Sequence, residues 1–138
     1  MARPPSIAFR CPSCGGEAEC GLDGQGRCAC GATPSLRLTA SLREQSIIDR
    51  CPACDSVQLY VQRDFNQKAG LGVVIVGALL APFTFYLSLV VAAIIDAGLY
   101  LMLDEITICY RCEAHFRGFR RNPAHAPFDL HIAEQYSK

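Results

Sequence analysis

Residues 69–103 read AGLGVVIVGALLAPFTFYLSLVVAAIIDAGLYLML, a run of 35 residues in which Asp96 is the only formally charged side chain. One continuous helix of that length would extend about 52 Å, far beyond the roughly 30 Å hydrocarbon core of a bilayer. Halved, the run predicts two helices of about 17 residues each, near the lower limit for crossing. Pro82 lacks an amide donor and interrupts a helix at the midpoint. The following FTFYLS places Thr84, Tyr86 and Ser88 where a turn would use polar groups and interfacial aromatics. A transmembrane or re-entrant helical hairpin is therefore expected over 69–103.

The flanks agree with that expectation. Arg63 and Lys68 precede the run, and Arg111, Arg117, Arg120 and Arg121 follow it. Positive charge on both sides suits two cytoplasmic ends and an even number of crossings. CPAC (51–54) lies before the run and CYRC (109–112) after it. A hairpin returns the chain to the side it left, so Cys51/Cys54 can meet Cys109/Cys112 around one ion. A single crossing would separate the pairs by roughly 30 Å of lipid.

A second cysteine quartet lies upstream in FRCPSCGGEAECGLDGQGRCACGA (9–32), where Cys11/Cys14 and Cys28/Cys30 flank a turn signal at Asp23-Gly24. Gly15 and Gly31 follow the second cysteine of each pair, where a tight knuckle needs backbone freedom to point amides at the sulfurs. This stretch resembles a zinc ribbon with its second pair shortened from CxxC to CxC. The 51–54 and 109–112 pairs resemble a zinc ribbon or rubredoxin-like site whose connecting loop has become the hairpin. The resemblance covers roughly 9–32 and 50–63 with 106–118, and it implies two Zn²⁺ ions. Four thiolates close a tetrahedral site, so both are expected to be structural. Iron in the second site is the alternative, because four thiolates do not by themselves select zinc. Asp55 and Glu113 stand against it: rubredoxins place glycine after the knuckle, and an acidic neighbour favours the oxidised ion. Cys20, the ninth cysteine, is expected to be a small buried thiol, with a substitute fourth ligand as its other reading.

Several functional classes are weakened by what the chain lacks. Lys+Arg and Asp+Glu both number 13, and the arginines are scattered, which disfavours nucleic acid as a partner. The N-terminal MARPPSIAFRCPSC contains no apolar region before its cysteines, so it does not read as a signal peptide, and reduced thiols are expected. No nucleophile–base pair, phosphate loop or open metal site is apparent, so no catalysis and no small-molecule substrate are expected. His115, His125 and His131 are surplus to the cysteine quartets and read as surface or interface residues.

Asp96 sits about 12 Å inside the hairpin from Asp104. There it suits an interhelical contact or an anchor to another membrane subunit, a proton path being the sharper reading. Gly70, Gly77, Ala78, Ala81, Ala92, Ala93, Ala97 and Gly98 permit close helix packing. Asp64 or Asn66 can cap the first helix. Val57, Leu59 and Val61 alternate as one strand face. Phe128, Ile132 and Tyr136 form an apolar stripe on a short helix starting near Asp129.

The expected architecture is a small α+β membrane protein of two zinc ribbons and a hairpin. Its parts are an N-terminal ribbon (1–40), a split second ribbon (41–68 and 104–122), the hairpin (69–103) and a tail (123–138). The expected role is a non-catalytic accessory or assembly subunit at a bacterial-type inner membrane, both ribbons cytoplasmic, with the bilayer and other membrane subunits as partners. A membrane-tethered electron carrier is the runner-up, and a nucleic-acid-binding ribbon the third reading.

Overall fold

The computed structural model describes residues 4–65 and 67–137. The chain divides into two units, 1–62 with 105–138 and 63–104. The first unit is built on one six-stranded sheet of order β3-β2-β1-β6-β5-β4. Its strands are β1 (Ser6–Arg10), β2 (Glu17–Cys20), β3 (Gly26–Cys28), β4 (Leu59–Arg63), β5 (Glu105–Cys109) and β6 (His115–Arg117). The two expected ribbons are thus halves of one sheet, joined where β1 pairs antiparallel with β6 in the register Ile7↔Phe116. A single cluster of buried residues crosses that seam, including Ile7, Phe9, Cys11, Cys51, Cys109 and Phe116. Neither half has enough apolar side chains for a core of its own, so fusing the sheets is how both are covered.

Helix α1 (Ala40–Gln45) is capped by the Thr39 hydroxyl, which accepts from the Leu42 amide, and it buries Leu42. Leu59 is buried on β4, whereas Val57 precedes the strand and is exposed, so the expected three-residue face is shorter. The C-terminal helix α4 (Leu130–Tyr136) is capped by Asp129, whose side chain accepts from the His131 amide. Phe128 packs on Tyr60 and Tyr110 with ring centroids 5.1 and 5.9 Å away.

The second unit contains α2 (Gln67–Leu80) and α3 (Leu87–Met102). Their lengths correct the transmembrane expectation. Fourteen and 16 residues rise about 21 and 24 Å, short of the roughly 30 Å a crossing requires. Among the described residues no helix is long and apolar enough to cross a membrane. The shortfall arises at the turn, which takes residues 81–86 out of helix. There the hydroxyls fold back on the backbone: Thr84 Oγ1 donates to the Leu80 carbonyl at 3.0 Å and Ser88 Oγ to the Gly77 carbonyl at 2.9 Å. They complete the turn between the helices. Gly77 lies against Ala92, where an added Cβ would sit 2.9 Å from the alanine methyl, so only glycine permits this approach. A Cβ added at Gly72 or Gly98 would meet nothing within 4 Å among the described residues. Of the two expected caps, Asn66 lies outside the described residues.

His125 corrects another expectation. It is 7% exposed, and its Nδ1 has no hydrogen-bond partner among the described residues. Burial lowers its pKa from the ordinary 6.5, with Asp49 opposing. A lowered imidazole pKa means the unfolded chain binds the extra proton first. The contribution to stability is complete above about pH 6.5 and is lost as pH falls toward the folded value. In metal-saturated protein, His125→Gln is expected to flatten the fall in urea stability between about pH 7 and 5.5. Parallel curves would assign the acid sensitivity to the thiolates instead.

Candidate metal centres

Four chain reversals place the cysteines. At the first, the Cys11 amide donates to the Gly16 carbonyl at 2.8 Å, and the Gly15 amide donates back to the Cys11 carbonyl at 2.9 Å. The same two bonds recur at Cys51, to Ser56 (2.9 Å) and from Asp55 (2.8 Å), and at Cys109, to Ala114 and from Glu113 (both 3.1 Å). At Cys28 each bond closes one residue earlier, to Ala32 at 3.2 Å and from Gly31 at 3.0 Å. That difference is the structural counterpart of CxC against CxxC.

Each reversal ends on a left-handed residue. Gly15 and Gly31 have φ of 69° and 85°, as the sequence implies. Asp55 and Glu113 adopt φ of 63° and 56° in spite of their side chains, at a cost of about 1–2 kcal/mol each. The knuckle imposes this conformation whatever residue fills it.

These reversals bring together two groups of four, Cys11, Cys14, Cys28 and Cys30, and Cys51, Cys54, Cys109 and Cys112, the Sγ atoms of each lying within 4.8 Å of one another. Neighbouring sulfurs are 3.4 Å apart for Cys14–Cys28 and 3.9 Å for Cys11–Cys30. In the second group Cys51–Cys112 and Cys54–Cys109 are both 3.5 Å apart. Thiolates about 2.3 Å from a tetrahedral Zn²⁺ lie about 3.8 Å from one another, so both donor sets fit a metal ion. The groups differ in shielding. Cys14 and Cys30 are exposed, whereas Cys51 and Cys109 are buried and Cys54 and Cys112 half-buried.

Backbone amides and neighbouring thiols shift the sulfurs in both directions, some toward thiolate and some toward thiol. Hydrogen bonds from the Ser13 and Cys14 amides hold the Cys11 thiol down to about 6. Hydrogen bonding from Cys112 and Cys51 holds Cys109 low, while Cys109 and then Cys112 push Cys51 up. Protons are thus shared within the second group, and a divalent ion would displace those that remain.

Cys20 belongs to neither quartet. It is 2% exposed on β2, its Sγ donates to the Gly21 carbonyl at 3.2 Å, and burial followed by the charge of Asp23 raises its pKa. Asp96 lies on α3 two turns from Ser88, on the same face as buried Ala92, with Oδ1 buried and without a hydrogen-bond partner among the described residues. His115 is half-buried on β6, and His131 is exposed on α4. Sequence reasoning missed the Arg10–Glu113 ion pair at 2.9 Å, which joins the residue before Cys11 to the residue after Cys112. No sequence signal pairs them, since their proximity follows from the β1–β6 register.

Comparison with protein families, characterised proteins and solved structures finds no match to this chain. The geometry therefore carries the assignment of two candidate four-cysteine metal centres.

Glu113→Gly separates backbone strain from the ion pair. Relief of the left-handed conformation is worth about 1–2 kcal/mol, against about 0.2–1 kcal/mol for an exposed pair. Metal-saturated E113G is expected to gain about 0.5–1 kcal/mol in chemical denaturation. A loss of that size would show that the Arg10 contact outweighs the strain.

Proposed function

We propose that this chain is a non-catalytic double zinc-ribbon protein, an accessory or assembly subunit held at a bacterial-type inner membrane by contact with a larger complex. Zinc fits the donor sets, and four thiolates leave no open position for substrate, which supports a folding role for both ions. In zinc-finger peptides such binding supplies about 10–16 kcal/mol, ample for a sheet with so small a core.

The observation that carries the binding role is the surface of the 63–104 unit. Phe83, Phe85 and Met102 are 82%, 94% and 85% exposed, and Leu71, Leu79, Leu87, Ile94 and Leu101 are exposed as well. Between α2 and α3 runs a groove of about 620 Å³ lined by Val73, Val76, Leu80, Val91 and Ile95 among others. Contiguous apolar surface of this kind marks an interaction site. Apolar subunits of a membrane complex supply the cover in this reading, with no crossing by the chain itself.

The test is purification of the intact protein from gently solubilised cells, with metal analysis of the same sample. Two zinc ions per chain and a stoichiometric partner, lost on Phe83→Asp with zinc retained, are expected. Migration as a lone monomer would sink the accessory role. The second reading, electron transfer, is favoured by the complete burial of Cys51 and Cys109, each 0% exposed, which would shield an iron centre. One iron per chain and a red colour that bleaches on reduction would replace the first reading with it.

A further inference from the structure

We propose that the two four-cysteine centres load metal cooperatively, each organising the other through the β1–β6 strand pair. The proposal rests on the reading of both quartets as metal centres and goes beyond it, because two closed sites on one chain need not communicate.

The connection is short and direct. Strand β1 ends at Arg10, next to Cys11 of the first centre, and β6 begins at His115, three residues after Cys112 of the second. The two strands pair at Ser6↔Arg117, Ile7↔Phe116 and Ala8↔His115. An ion at the second centre fixes the 109–112 knuckle between β5 and β6, and so presents β6 as a template for β1. An ion at the first centre fixes the 11–14 knuckle between β1 and β2, and so presents β1 to β6. Each strand gains its neighbour only when the other is in place.

The core carries the same dependence. Ile7 and Phe116, paired across the seam, are 0% and 1% exposed, and they share one buried cluster with Cys11, Cys51 and Cys109. Cysteines of both centres therefore belong to one continuous apolar cluster. If the β1–β6 seam is open, that cluster is split and its halves are wetted, so the first ion to bind must order strands that the second then finds already ordered. Coupling free energies between two sites of one protein typically correspond to about 5- to 150-fold in affinity. The Arg10–Glu113 pair joins the knuckles too, but its partners are 74% and 66% exposed, and such pairs contribute little. Strand pairing and the shared core are the coupling elements.

Shielding sets an order. The second centre contains no exposed ligand, whereas Cys14 and Cys30 of the first are exposed. The second centre holds its ion longer and serves as the template on which the first is completed.

The experiment uses the full chain and Co²⁺, whose thiolate bands report each ion bound, with Zn²⁺ competition against a chelator for affinities. In the wild type, a cooperative isotherm with little singly loaded species is expected. Cys14→Ser/Cys30→Ser removes ligands whose side chains lie outside the core, and is expected to weaken the second centre at least tenfold. Cys54→Ser/Cys112→Ser is expected to weaken the first centre by the same factor, since thermodynamic linkage is reciprocal. Phe116→Ala keeps all eight ligands and is expected to turn the isotherm toward two independent steps. Affinities that stay within about twofold across the ligand variants, with an independent two-site wild-type isotherm, would overturn the coupling while leaving both centres standing. Absence of any metal uptake by the wild type would overturn the metal centres and the coupling together.

Discussion

Convergence of four sulfurs on one point, twice, is the constraint on which the sheet depends. Each pair of ligands needs a chain reversal that closes within a few residues, turns its amides toward the sulfurs and ends in a left-handed residue. Three of the four reversals here share the same hydrogen-bond pattern, and the fourth is one residue tighter. Strands β1, β2, β5 and β6 are the arms of two of those reversals, so the position of the sulfurs sets which strands become neighbours. Asp55 and Glu113 in the glycine conformation show how strongly the motif dictates the backbone.

The same constraint relates the two quartets. A ribbon of two short hairpins has free edges and almost no interior. Here the inner edges pair, β1 on β6, and the apolar side chains of both halves merge into one cluster. Two modules that the sequence presents as separate are therefore parts of one sheet over one core, and the proposed coupling of the two centres runs through their seam. The Arg10–Glu113 contact is a consequence of that register and not its cause.

The 63–104 unit obeys a different requirement. Its helices satisfy one another through Gly77 against Ala92 and through hydroxyls folded back on α2 carbonyls, and the outward faces are left apolar. A turn of six residues shortens both helices below a crossing length. Composition and total length suggested a membrane span because they count apolar residues and not the chain consumed in reversing direction. That is a property of the turn's backbone, where Phe85 and Tyr86 are both left-handed.

Eight cysteines in CxxC and CxC spacing, with glycine after two knuckles, mark the candidate donors of both centres in the sequence itself, because knuckle geometry acts over two or three residues and is written locally. The break at Pro82 and the start of α4 near Asp129 were legible for the same reason. Tertiary structure alone decided that the ribbons fuse, that His125 is buried and that the helices fall short of a bilayer. Each of these depends on contacts between residues far apart in the chain, such as Ile7 with Phe116, or on how many residues a turn consumes. Local spacing encodes neither.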